Sequence, residues 1–193
     1  MPRPGDRRPL ICDQAIALLA DGGARALTHG AIDRAAGLPK GSTSYYFRTR
    51  EALISATIER IRTHSREAMS NSGPVSDITV DVAAVFIAEQ LAAFDSVRHA
   101  DALAVFALLP EVRENVSLRD ELGSCLFSME RATALLEVLG SSTPREDAAD
   151  LIAFLSGMLF DMFFGVRSHN VGGARAASDS VERMLRRMIS APG

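Results

Sequence analysis

The 193-residue chain has no tryptophan, two tyrosines and two cysteines. Cys12 and Cys125 lie far apart and form no Cys-x-x-Cys pair. Such spacing fits two small core residues in a reduced, cytoplasmic protein. The histidines, His29, His64, His99 and His169, are scattered, and none sits in HExxH or another metal spacing. No metal site is expected from them. GxSxG, GxGxxG and the Walker pattern are absent, and no nucleophile arrangement can be seen, so neither an enzyme nor a cofactor is expected. Long apolar runs are missing too. The most apolar stretch, LIAFLSGMLFDMFFGV at 151–166, is short for a bilayer span and carries Asp161. It reads as a buried helix, and no membrane partner is expected. The first ten residues, MPRPGDRRPL, hold charge but no apolar core, which argues against a secretory signal.

What is present favours helix and a sizeable core. Hydrophobic residues make up 47% of the chain, enough for one or two domains. The net charge of −3 hides an asymmetry. Residues 1–65 hold 10 Lys and Arg against 6 Asp and Glu, whereas residues 66–193 hold 11 against 18. A basic head on an acidic body suggests that the head meets a polyanion, though a split of this size also arises by chance.

Helical periodicity begins at once. Ile11, Ala15, Leu18 and Leu19 share one face, and Asp21-Gly22-Gly23 ends the helix. Thr28 is placed to cap a second helix over about 29–36, with Ala31, Ile32, Ala35 and Ala36 inward and Gly37 stopping it. Pro39 suits the first turn of a third helix over 40–46, which Phe47 anchors. Three short helices, the last two parted by a glycine turn, make a helix-turn-helix unit. Thr49 can cap a fourth helix running to about residue 70. Further helices are expected over about 77–96, 100–109, 115–139, 145–167 and 174–190. Breaks are expected at NSGP (71–74), Pro110, GSSTP (140–144) and NVGG (170–173). The result is an all-α chain of about nine helices with no convincing strand.

The stretch GLPKGSTSYYF at 37–47 has no apolar stripe of its own. As the outer face of a reading helix it makes sense. Gly41 and Ser42 keep the helix start slim, Lys40 brings charge near phosphates, and the tyrosine hydroxyls can donate to phosphate oxygens. With the next residues it reads GLPKGSTSYYFRTREAL, and here the order resembles the TetR family of transcriptional regulators. The resemblance covers about 11–53. It includes the first-helix face ending in Gly23, Leu27-Thr28, Ile32, Ala36-Gly37-Leu38, Lys40-Gly41-Ser42, Tyr46-Phe47 and Thr49-Arg50-Glu51-Ala52-Leu53.

The resemblance implies a helix-turn-helix DNA-binding domain over 1–50 and a ligand-binding and dimerisation domain over 51–193. Thr28, Tyr45, Tyr46 and Arg50 would hold phosphates, and Lys40, Ser42, Thr43 and Ser44 would face the groove, with Gly41 beside them. Two departures stand out: Thr43 and Ser44 replace the usual Leu and Tyr, and Asp33 replaces the usual Ala. Asp33 is expected to point to solvent or to pair locally with Arg34, Arg48 or Arg50.

For the body, the resemblance implies a homodimer joined through the last two helices. Leu155, Gly157, Leu159, Met162, Met184, Leu185 and Met188 would fill the seam. Gly157 with Ser156 and Ala153 would let helices approach closely. It also implies an effector cavity, for which Phe86, Gln90, Phe94, Phe106, Phe127, Phe154 and Met158 are the lining candidates. Gln90, His99 and Glu111 would orient a small, largely apolar effector. The expected function is a ligand-responsive regulator, a repressor that binds a palindromic double-stranded DNA operator. An effector-independent DNA-binding protein is the alternative.

Overall fold

In the computed structural model, residues 6–69, 78–166 and 173–190 are described, the side chains of 173–175 and 190 excepted. Among them are ten helices and no strand. They are α1 Arg8–Ala26, α2 His29–Ala35, α3 Ser42–Tyr46, α4 Arg50–Met69 and α5 Val80–Phe94. After these come α6 His99–Val112, α7 Val116–Gly123, α8 Met129–Val138, α9 Pro144–Phe164 and α10 Gly173–Ser190. The all-α architecture is as the periodicity implies. The breaks expected at 71–74 and 170–173 lie outside the described residues, except that Gly173 is the first residue of α10.

Three expectations need correction. The helix expected over 115–139 is two helices, because the chain turns inward at Cys125, which is fully buried, and Ser128 then caps α8 by accepting from the Arg131 amide at 3.3 Å. Pro110 does not break α6. It lacks the amide that would donate back one turn, yet the helix continues to Val112, whose side chain is 1% exposed in the core. Helix α3 starts at Ser42, two residues late, because Gly41 sits at φ +91°, outside the helical region. The end of the first helix is as expected: Gly23, at φ 66° and ψ −168°, interrupts α1.

The chain divides into two compact units, Met1–Asn71 with Arg98–Leu126, and Ser72–Val97 with Phe127–Gly193. In the first unit α1 packs on α4, α6 and α2, and α2 on α3. Its core joins Ile11, Ile16, Leu19, Leu27 and Ile32 to Leu53, Ile58 and Ile61 of α4 and to Leu108 and Leu122. Because α4 shares that core, the unit runs past residue 50, where the sequence suggested a boundary. Both thiols lie in it, and burial pushes each up to about 12, so they stay protonated and inert.

In the second unit α10 packs on α5 and α8 on α9. Its core is built from Ala83, Ala84, Leu91, Leu136, Leu151, Leu155, Val181 and Leu185. The lone acid of the apolar stretch, Asp161, accepts from the Val166 amide at 2.7 Å just past the end of α9, which gives its polar end a partner. No helix among the described residues is long and apolar enough to cross a membrane.

Candidate nucleic-acid interface

The head is assembled around α2 and α3. Thr28 caps α2, its hydroxyl oxygen accepting from the Ala31 amide at 3.2 Å. The other end of α2 closes in a two-bond turn. The Leu38 amide donates to Asp33 O at 2.8 Å and the Gly37 amide to Arg34 O at 3.3 Å. That pattern needs a left-handed residue at its centre, and Gly37, at φ 62°, supplies it. Leu38 then turns inward against the core. Ile32 points into the core from α2, but Ala35, expected there as well, is exposed.

Asp33 does what the sequence did not reveal. It is 3% exposed, and its carboxylate accepts from the Gly41 amide at 2.7 Å, the Thr43 amide at 2.8 Å and the Thr43 hydroxyl at 2.6 Å. It neither faces solvent nor pairs with an arginine. It caps α3 from outside, and its own carbonyl closes α2, so one residue fixes both ends of the turn. Burial alone would raise its carboxyl. The Thr43 hydroxyl, the Thr43 and Gly41 amides and nearby His29 outweigh that and hold it below the ordinary 3.8. A sequence signal existed: the residue before α3 is Gly41, which has no side chain to cap it, while an acid, Asp33, lies in the preceding helix.

This arrangement corrects the expected groove face. Thr43 is fully buried against Asp33 and cannot meet bases. Ser42 is half-buried and its hydroxyl donates to Pro39 O at 2.6 Å. Lys40, Gly41 and Ser44 stay exposed, and Tyr45 is 80% exposed. Tyr46 is half-buried, edge-on to Tyr45 at 5.2 Å between ring centroids. His29 Nε2 lies 2.8 Å from Phe47 O and ties the start of α2 to the end of α3. Thr28 remains exposed, and its hydroxyl hydrogen is left over by the cap.

Arg50 differs from expectation in another way. Its guanidinium donates to Leu27 O at 2.6 Å, Ala24 O at 2.9 Å and Glu111 Oε2 at 2.8 Å. It therefore closes the end of α1 and joins it to α6 instead of standing free for a phosphate. Glu111, a candidate for orienting an effector, is engaged in this pair. Thr49 caps α4 as expected, accepting from the Ala52 amide at 3.1 Å.

Behind the head a polar chain crosses α1, α4 and α6. Arg60 grips Asp13 with two bonds, at 2.6 and 3.1 Å. His64 Nδ1 lies 2.9 Å from Asp101 Oδ1, and its Nε2 lies 3.5 Å from Asp13. Arg98 Nε is 3.6 Å from Asp101 Oδ2. The bond to Asp101, against the opposing effect of burial, raises His64 above its ordinary 6.5.

The second unit carries most of the other candidate residues. Phe94 and Met158 are buried, and Phe86, Phe127 and Phe154 are partly buried on the unit's core. Phe94 meets Phe127 edge-on at 5.9 Å. Gln90 is half-buried, whereas His99 and Phe106 belong to the first unit. A shallow, open depression runs along the outer face of α5, lined by Asp81, Val82, Val85, Phe86 and Glu89. Of the expected lining residues, Phe86 reaches it.

The expected seam also needs revision. Leu155, Leu159, Leu185 and Met188 are buried within this chain, and Met162 and Met184 are half-buried. Gly157 is exposed, and a Cβ there would meet nothing within 4 Å. The exposed side of α9 is Ala149, Ala153, Gly157, Phe160 and Phe164, one helical face of which the sequence reading named Ala153 and Gly157 but not Ala149, Phe160 or Phe164. The i, i+4 spacing of the small residues and the two phenylalanines below them was the available signal.

Residues 11–57 match the family of bacterial regulatory proteins described as the tetR family. Residues 78–191 match a tetracyclin repressor-like C-terminal domain. No curated protein matches the chain. Among solved structures, it is similar to a TetR-family member from Streptomyces coelicolor A3, at 22% identity and TM-score 0.72, covering 93% of this chain and 98% of that one. It is similar to a transcriptional regulator from Rhodococcus sp. Rha1, at 15% identity and TM-score 0.77, covering 97% and 100%. It is also similar to the multidrug binding protein EbrR complexed with ethidium, at 22% identity and TM-score 0.70, covering 93% and 98%. At these identities the structural likeness speaks for the fold.

Proposed function

The chain belongs to the TetR family of bacterial regulatory proteins, and from that premise we propose a ligand-responsive repressor that binds a palindromic operator as a homodimer. The observation that carries this reading is the mounting of α3. A five-residue helix is too short to hold itself in place. Asp33 supplies the missing cap and leaves Lys40, Ser44 and Tyr45 outward on a rigid base. Such a surface contacts phosphates and reads a few base edges, so DNA shape carries much of its specificity.

The exposed face of α9, with small residues above and Phe160 and Phe164 below, supports pairing with the same face of a second copy. A two-fold pair sets the distance between two reading heads to one helical turn of DNA. The apolar side chains of the second unit support an effector of the same character. The Glu89 carboxylate beside Val82, Val85 and Phe86 favours an apolar compound with positive charge, Asp81 being engaged by Arg186. An effector that binds better to the wrong head spacing lowers DNA affinity by the ratio of its two affinities.

The test is selection of DNA from a random pool by the full chain, followed by titration of the selected complex with tetraphenylphosphonium, an apolar cation that does not intercalate into DNA. A palindromic site bound by two copies, and released by the compound, is the expected result. Equal affinity for all sequences would defeat the regulator reading. Tight binding of that cation which leaves DNA affinity unchanged would defeat the effector mechanism alone.

A further inference from the structure

The corrected face of α3 leaves a shortage. Thr43 is buried, Ser42 is bonded to Pro39, and α3 contains no Arg, Asn or Gln, the residues that make paired bonds to base edges in the major groove. Lys40, Ser44 and Tyr45 remain. Sequence discrimination needs another source close by. The start of α1 offers one. The Arg8 guanidinium carbon sits 5.3 Å from the ring centroid of Tyr46, the last residue of α3. Arg7, just before α1, is exposed, as is Arg8. Asp6 offsets part of this charge, accepting from the Arg8 amide at 3.1 Å and lying 3.5 Å from Arg8 Nη1. The first turn of α1 holds no acid at all.

We propose that Arg7 and Arg8 form a second reading element, which enters the minor groove flanking the stretch that α3 occupies. The inference rests on the regulator reading above. Leaving a major groove sideways past the end of α3, a side chain crosses one sugar-phosphate strand and meets the minor groove. The Tyr46 ring holds the Arg8 guanidinium itself beside the end of α3, so that side chain reaches the edge without the entropy loss of an unanchored arm. Narrow A·T-rich minor grooves concentrate negative potential and favour guanidinium, which sheds water more readily than ammonium. The information read there is A·T against G·C, which the hydroxyl-rich α3 is least equipped to supply at the site's edges.

The test uses inosine. An I·C pair looks like G·C in the major groove, but lacks the minor-groove amino group and so resembles A·T there. With the selected operator and the full chain, changing flanking A·T pairs to G·C is expected to weaken binding about fivefold or more. Changing them to I·C should restore it. Arg7→Ala with Arg8→Ala should abolish the flank effect and keep the preference at the central positions. Arg7→Lys with Arg8→Lys should keep the salt slope while losing most of the flank effect, which separates groove reading from charge. I·C behaving like G·C, or an unchanged flank effect in the alanine variant, would overturn the proposal. A selected site with indifferent flanks would overturn it and leave the regulator reading standing. No selected site at all would overturn both.

Discussion

In the first unit, helices are joined where they cross by charged and polar side chains. Arg60 holds Asp13, His64 stands by Asp101, Arg50 reaches Glu111, Asn115 donates to Glu51 at 2.7 Å, and Asp33 holds α3. In the second, α5, α8, α9 and α10 meet mainly through aliphatic and aromatic side chains, with the exposed pair Arg186 and Asp81 bridging α10 and α5. Directional bonds fix geometry, whereas apolar packing accepts many substitutions of similar volume. A reading head has to present α3 in one orientation. An effector-binding and pairing body benefits from a core that can shift. The two kinds of cohesion therefore match the two tasks proposed for them, and they fail differently when mutated.

The largest expected effect is in the apolar unit. Leu185→Ala empties a fully buried site packed among Leu151, Leu155 and Val181. The cost is about 2–5 kcal/mol, since the neighbours collapse only in part. A denaturant midpoint shift measures it. Leu185→Met should lose far less, and an equal loss in both variants would show that the site is not the adaptable packing described.

Next comes the polar unit. Asp33→Asn removes the charge that three donors converge on and is expected to cost about 2 kcal/mol, with DNA affinity falling beyond what unfolding explains. Here a conservative change of equal volume should hurt, in contrast to Leu185→Met. The pH dependence follows from the depressed Asp33 carboxyl. Its contribution is present above the ordinary 3.8 and is lost as pH falls through the lower folded value. The variant should lack that acid-side loss. A variant with unchanged DNA affinity and unchanged acid melting would show that α3 holds itself.

The sequence made the helical architecture, the helix-turn-helix and the family legible, because periodicity and glycine turns are local signals. Gly23, Gly37, Thr28 and Thr49 all act where their chemistry suggested. What it hid were contacts between distant positions. Nothing local marks Arg50 as the partner of Glu111, 61 residues away, or Asp33 as the cap of a helix that starts nine residues on. The faces of α9 were partly misread for a related reason. An apolar helix shows its period but not which stripe meets its own core, and Leu155 and Leu159 face inward while Phe160 and Phe164 face out.

The subtlest contrast lies in the response to pH near neutrality. His64 comes from α4 and stands between Asp13 of α1 and Asp101 of α6, with Arg60 also on Asp13 and Arg98 beside Asp101. Its proton is held more tightly folded than unfolded, chiefly through the Asp101 bond, so its folded value lies above 6.5. A raised value contributes stability that is complete below 6.5 and disappears as pH rises through the folded value. The first unit should therefore weaken as pH rises above 6.5, while α8 and α9 of the second hold no histidine. Hydrogen exchange at α1 and α4 across pH 5 to 8.5, set against α8 and α9 in the same molecules, measures the difference after correction for intrinsic rates. In His64→Gln the alkaline loss should vanish, because the amide can still bond Asp101 but takes up no proton. Equal pH slopes in both units of the wild-type chain would place the titration elsewhere, and Arg60, whose pairing with Asp13 keeps it charged throughout this range, would then be the chief tie between α1 and α4.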